Sequence, residues 1–161
     1  MLLNVPPDRR GLLHEADVGS LRGFRKLIDS AFKNNLTKRA QIKATSFRGN
    51  DERYDPKNLI DGNENSYWAT DDDQTTAGSE IQFSEVKEIK YLILQEYISL
   101  GQRVKAFDVE VWDGNAWANV YKGTTIGYKR ILKLQPVHTD NIRVIIRESK
   151  ACPIISNLEV Y

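Results

Sequence analysis

Short segments with alternating apolar side chains fill the chain from residue 37 onward, and they constrain its fold more than any other feature. They predict about eight β-strands, because they are rich in Val, Ile, Tyr and Phe and are separated by turn residues. The predicted strands are residues 42–46, 80–83, 89–98, 104–112, 117–121, 130–134, 141–147 and 155–161. Strands of this length, without an intervening helical pattern, predict an all-β sandwich.

A different pattern precedes the strands. Apolar residues recur at helical spacing over Glu15–Asn34, which predicts an α-helix. The apolar stretch Leu2–Val5 ahead of it indicates a short strand. One strand, a loop and one helix cannot enclose a core, so we expect residues 1–36 to belong to a larger domain. Residues 37–161 are predicted to form a domain of their own.

Charge and cysteine content exclude several classes of function. The formal net charge is +1, which provides no overall field to attract nucleic acid or an acidic membrane. The chain contains no run of about 18 apolar residues that could span a bilayer, and the loops at 48–55 and 70–78 are polar and partly acidic. The single cysteine, Cys152, excludes an intrachain disulfide and is predicted to be a small buried residue. We therefore expect neither a nucleic acid nor a membrane as a partner.

The loop over residues 59–70, L-I-D-G-N-E-N-S-Y-W-A-T, is unusually rich in side-chain oxygen atoms. The oxygen-bearing residues are Asp61, Asn63, Glu64, Asn65 and Ser66. Calcium prefers six to eight oxygen ligands, but the EF-hand pattern fails here because Ser66 stands where its turn glycine is needed. Two interpretations remain open. The loop is either a solvated turn stabilised by its own Asp and Asn side chains, or a cation site completed by a distant carboxylate such as Glu159.

Four motifs carry a family resemblance for residues 37–161. They are L-I-D-G-N-E-N-S-Y-W at 59–68, S-E-I-Q-F at 79–83, I-K-Y-L-I-L-Q at 89–95 and I-S-N-L-E-V-Y at 155–161. With them the segment resembles a discoidin domain, also called the coagulation factor V/VIII type C domain or family 32 carbohydrate-binding module. The resemblance implies a discoidin-type jelly-roll β-sandwich with a structural calcium ion. The calcium ligands it implies are the carboxylates of Asp61 and Glu159, the hydroxyl and carbonyl of Ser66, and the main-chain carbonyls of Asn58, Asn63 and Leu158.

The N-terminal segment has a second resemblance. The run L-L-N-V-P-P-D-R-R-G-L-L-H-E-A-D-V at residues 2–18 resembles the last barrel strand and final helix of bacterial α-L-fucosidases, and E-Y-I-S-L-G-Q-R at 96–103 resembles their accessory domain. Those enzymes are retaining exo-glycosidases with a TIM-barrel catalytic domain. The resemblance implies that the catalytic Asp and Glu lie on earlier barrel segments. We therefore expect no catalytic residue and no hydrolysis here, and a parent enzyme that is periplasmic or extracellular.

Sugar binding is the function that the family resemblance implies for the loops at one end of the sandwich. Sugars are held by flat aromatic rings and planar polar side chains, so the predicted contacts are Tyr54, Glu96, Tyr97 and Arg103. Arg103 could equally form a structural ion pair with Glu96. We interpret Trp68 and Trp117 as packing residues.

Two functions remain open for the module. It would bind terminal sugars of galactosylated or fucosylated glycans near the catalytic barrel, or it would only brace that barrel.

Overall fold

The computed structural model describes residues 4–161, which divide into two compact units between Asn34 and Asn35. The first unit contains helix α1 (Glu15–Ala31), which begins at the predicted residue and ends earlier than predicted. His14 caps it, because its Nδ1 atom accepts a hydrogen bond from the main-chain N–H of Ala16 at 3.2 Å. No residue of α1 is buried. No helix within residues 4–161 has the length and apolar character needed to cross a bilayer.

The strand predicted over Leu2–Val5 lies partly outside the described residues. Of its residues, only Asn4 and Val5 are described, and neither belongs to a strand.

Seven strands form the second unit. They are β1 (Gln41–Ala44), β2 (Trp68–Ala69), β3 (Ala77–Glu96), β4 (Val104–Trp112), β5 (Trp117–Gly123), β6 (Arg130–Ser149) and β7 (Ile154–Val160). The predicted strands 80–83 and 89–98 are continuous in β3, and 130–134 and 141–147 are continuous in β6. Strand β2 was not predicted, because two residues cannot display an alternating pattern.

The two long strands β3 and β6 take part in both layers of the sandwich. The first part of β3 pairs with β1 on one side and with the end of β6 on the other. The end of β6 also pairs with β4, and β4 pairs with the edge strand β5. The second part of β3 pairs with the start of β6 and with β7, and β7 pairs with β2. The register shifts between Gln82 and Lys87, where the paired strands pass from one layer to the other. All pairings are antiparallel, and the predicted all-β sandwich is confirmed.

The core lies between these layers, and only one of the two predicted tryptophans belongs to it. Trp68 is buried, and its indole Nε1 donates a hydrogen bond to the Ser46 carbonyl at 2.9 Å. Trp117 is also a packing residue, as interpreted from the sequence, but it lies outside this core. Its ring is half-buried on the β4–β5 hairpin, where it packs edge-to-face on Trp112 and lies 4.1 Å below the Arg143 guanidinium.

Candidate functional site

Three tyrosines from two connections between strands, Tyr54 and Tyr67 before β2 and Tyr97 after β3, lie next to one another at one end of the sandwich. The Tyr54 and Tyr67 rings are 5.7 Å apart between centroids, and the Tyr67 and Tyr97 rings are stacked at 4.6 Å. These half-buried rings pack against the small buried cluster of Ala69, Cys152 and Ile154. Burial is the main cause that raises the pKa of the Tyr67 hydroxyl. The row, which we call the tyrosine ladder, therefore brings the predicted Tyr54 and Tyr97 to one place.

Two arginines converge on Cys152 beside this ladder. Arg103 Nη1 lies 2.8 Å from Cys152 Sγ and 3.0 Å from its carbonyl oxygen, and Arg48 Nη2 lies 3.1 Å from the same sulfur. Arg48 also forms an ion pair with Asp72. The prediction that Cys152 is buried is confirmed. Within residues 4–161 no carboxylate pairs with the Arg103 guanidinium, so the ion pair with Glu96 does not form.

Glu96 contacts the main chain of two neighbouring loops. Its side chain is almost fully buried, with 2% of the residue exposed. One carboxylate oxygen accepts hydrogen bonds from the N–H groups of Arg103 (2.7 Å) and Val104 (2.9 Å), and the other accepts from Gly127 N–H (2.7 Å). The carboxylate thus joins the loop after β3 to the loop between β5 and β6.

A cavity of about 190 Å³ opens between the loops that Glu96 joins. Its lining includes Glu64, Asn65, Tyr97, Ser99 and Tyr128. Tyr128 is an aromatic residue of this lining and is 65% exposed. Sequence reasoning missed Tyr128. The available signal was an aromatic residue directly after Gly127 in a loop between two strands.

The 58–66 loop brings three oxygen atoms together. Ser66 Oγ lies 2.6 Å from Asp61 Oδ2 and 2.9 Å from the Asn63 carbonyl oxygen. The other Asp61 oxygen accepts a hydrogen bond from Asn63 N–H at 2.7 Å, which fixes the turn. The Asn58 side chain donates to the carbonyls of Arg53 and Tyr67, at 2.9 and 3.0 Å. The loop is thus held with its oxygens clustered.

Glu159 lies near this loop across a small cavity of about 80 Å³, which Asn63 also lines. Its carboxylate accepts hydrogen bonds from the Asn157 amide (2.9 Å) and the Tyr161 hydroxyl (2.6 Å). Burial and this carboxylate raise the pKa of the Tyr161 hydroxyl. Leu158 pairs with Leu94 in the sheet.

No group of three or more His, Cys, Asp or Glu side chains within residues 4–161 is arranged to hold a metal. A cation here would therefore depend on hydroxyl and carbonyl oxygens beside the carboxylates of Asp61 and Glu159. The donor set fits a hard, oxygen-loving ion and does not fit zinc.

A wider groove of about 1030 Å³ lies elsewhere, along β1, the start of β3 and the end of β6. Most of the charged side chains that line it pair with neighbours on the strands. Lys43 lies 3.1 Å from Glu80, and Arg147 lies 2.8 Å from Asp108. This groove contains no aromatic side chain, so it lacks the ring surface that sugar sites use.

Residues 41–160 match the family model of the F5/8 type C domain. The chain belongs to the F5/8 type C family. This F5/8 type C chain is also similar to fucosidases over nearly its whole length. It is 32% identical to Alpha-L-fucosidase 1 of Arabidopsis thaliana, over 99% of this chain and 32% of that protein.

Two solved structures extend the comparison. A Bacteroides thetaiotaomicron protein assigned as an alpha-L-fucosidase superposes with a TM-score of 0.91 at 36% identity, covering 99% of this chain and 35% of that one. A GH29 fucosidase of Ruminococcus gnavus in complex with fucose gives 0.90 at 32% identity, covering 99% and 33%. The chain thus spans about a third of the length of these relatives. Both family resemblances inferred from the sequence are confirmed.

Proposed function

We propose that this chain is the accessory module of an α-L-fucosidase and that its loop end binds a terminal sugar of the galactose or fucose type. The module would keep the glycan close to the catalytic barrel of the parent enzyme. The similarity to fucosidases over nearly the whole chain supports the assignment to such an enzyme. The observation that carries sugar binding is the convergence of Tyr54 with Tyr97 and Arg103 at one end of the sandwich, from two loops that are distant in sequence.

Of the predicted contacts, Glu96 is better assigned to positioning than to the sugar. Both of its oxygens accept main-chain hydrogen bonds, and its side chain is almost inaccessible to a ligand. Tyr54, Tyr97 and Arg103 remain the proposed contacts from the sequence. A small site that faces solvent gains little net free energy after ordering costs, so we expect a Kd near the millimolar range.

Titration calorimetry with galactose, fucose and N-acetyllactosamine tests this function. Arg103→Ala should abolish binding, whereas Arg147→Ala, which removes an arginine paired with Asp108 on the sheet, should leave it unchanged. If the unmodified chain gives no binding heat with any of the three sugars, sugar binding is refuted. The chain alone should not hydrolyse an aryl fucoside, since we expect the catalytic carboxylates on earlier segments of the parent.

The alternative function is bracing of the catalytic domain, and the wide groove beside β1 favours it. The groove offers Lys43, Arg143 and Arg147 together with Glu80 along a broad surface, which suits a protein partner better than a single sugar ring. If bracing is the function, Arg143→Ala in the parent enzyme should lower its melting temperature by more than it lowers that of the separate module. Calorimetric titrations of the module with the three sugars would then show no binding heat.

We also propose that the 58–66 loop binds a structural calcium ion. Asp61, Ser66 and Asn63 would supply the clustered oxygens, and Glu159 would supply the second carboxylate. Asn58 and Leu158 remain proposed carbonyl ligands. A ligand that binds only the folded state stabilises it by RT ln(1 + [L]/Kd), so the melting temperature should rise with calcium and fall with EDTA. Asp61→Asn should remove this response. A melting temperature of the unmodified chain that changes neither with calcium nor with EDTA would contradict the proposal.

A further inference from the structure

We propose that the cavity beside Tyr128 is where the sugar ring is held, that Tyr128 is the surface on which the ring stacks, and that the cavity takes a neutral sugar and not an acidic one. This inference rests on the proposed sugar-binding function. It moves the main contact away from the arginines, so under this inference Arg103→Ala retains binding, and it assigns the specificity to side chains that sequence reasoning did not select.

Unused hydrogen-bonding capacity distinguishes this cavity from the rest of the loop end. The side chains of Glu64, Asn65, Ser99 and Tyr128 make no hydrogen bond or ion pair to any other residue within 4–161. Their amide, hydroxyl and carboxylate groups are therefore available to the hydroxyls of a ligand. The opposite holds at Cys152, where both neighbouring arginines already bind protein atoms.

The size and the aromatic wall of the cavity fit one sugar ring. Its volume of about 190 Å³ is below the roughly 300–1,000 Å³ of pockets for drug-sized ligands, so it suits a single ring with the glycan leading outward. Tyr128 leaves most of its ring in water, where covering it with the C–H face of a sugar is favourable. Tyr97 lines the same cavity while its ring is stacked on Tyr67, so this wall is held in place.

Glu96 positions the walls of the cavity. Its carboxylate holds Arg103 and Val104, which follow the loop that carries Ser99, and it also holds Gly127, the residue before Tyr128. Gly127 has a φ angle of +69°, a conformation that favours glycine, so the turn that presents Tyr128 is tightly specified. The cavity is thus preorganised, which reduces the entropy lost when a sugar binds.

The charge of the lining selects against acidic sugars. Glu64 and Glu96 both line the cavity, and its lining includes no Lys or Arg. Lys129 lines only the smaller adjoining cavity. A sugar carboxylate would face like charge near Glu64, whereas a neutral hydroxyl can donate to it. We therefore expect galactose or fucose to bind and galacturonic acid to bind at least tenfold more weakly.

Calorimetry and ligand-observed NMR on the whole chain test this assignment. Tyr128→Ala should weaken galactose or fucose binding at least tenfold with an unchanged melting temperature, and Tyr128→Phe should retain binding because the ring face is kept. Glu64→Gln should reduce the difference in affinity between galactose and galacturonic acid, because it removes the negative charge that would repel the sugar carboxylate.

The outcomes separate this inference from the function on which it rests. If Tyr128→Ala binds as the unmodified chain does while Arg103→Ala does not bind, the sugar lies on the arginines; the cavity assignment is then wrong and the proposed function stands. Equal binding of galacturonic acid and galactose would overturn the charge argument. If the unmodified chain binds no neutral sugar, both proposals fail.

Discussion

Replacing Glu96 by glutamine tests how far a single buried carboxylate holds the loop end together. The substitution keeps the shape of the side chain but changes one oxygen into an NH₂ group. The amide oxygen can retain the bonds from Arg103 and Val104, and the NH₂ group then faces the Gly127 N–H, so that two donors meet. One buried hydrogen bond is lost outright, and the other two lose the contribution of the charge.

The expected cost follows from these three bonds. A hydrogen bond to a charged group contributes about 1.5–3 kcal/mol, and charge-assisted bonds are about twice as strong as neutral ones. Part of the lost stabilisation is offset, because burying a neutral amide costs less free energy than burying a charged carboxylate. We therefore expect Glu96→Gln to lower the free energy of unfolding by about 2–3 kcal/mol at neutral pH. Glu96→Ala should cost more, because it leaves all three N–H groups without this partner.

Urea denaturation followed by tryptophan fluorescence measures this change. With a slope of about 1–3 kcal/mol/M, the expected loss moves the midpoint by about 1 M or more. Hydrogen exchange should also speed up at the Gly127 amide. Glu64→Gln is the matched control, because it neutralises an exposed carboxylate on the same cavity and should stay within about 0.5 kcal/mol of the original chain. If Glu96→Gln is no more destabilising than this control, the positioning role is refuted.

Two further predictions concern other parts of the sandwich. A hydrogen bond from Arg53 lowers the pKa of Asp51 from 3.8 to about 2, so the stability from this pair is present above pH 3.8 and is lost as the pH falls through 2. An NMR titration of the Asp51 carboxyl should show this midpoint, and Arg53→Gln should raise it; an unchanged midpoint would contradict the assignment. A Cβ atom at Gly123 would overlap the buried Phe107 ring, so Gly123→Ala should destabilise the fold by about 1–3 kcal/mol. Thermal melts of that variant and of the double variant with Phe107→Leu, which should recover part of the loss, check this.

The sequence by itself determined the strands and the family. Alternation of apolar and polar side chains is a local property, so it identified β4 and the other strands with several apolar positions. The motif at residues 59–68 and the closing segment 155–161 were specific enough to identify the F5/8 type C domain. The same local information placed the start of α1 at Glu15. Local patterns failed where a strand passes a bulge, as in β3, because the break in register resembles the end of a strand.

Only the tertiary structure decided which side chains lie together at the loop end. Arg103 and Cys152 are 49 positions apart, and Glu96 and Gly127 are 31 apart, so no spacing rule could have paired them. The sequence selected Glu96 as a sugar contact because it is a planar polar side chain in a loop, whereas the fold buries its carboxylate against main-chain N–H groups. The residues next to Tyr128 in sequence identify it only as part of a turn. Its proposed role comes from the cavity, which three distant loops form around it. Loop side chains take their environment from contacts across the fold, and a linear pattern does not encode those contacts.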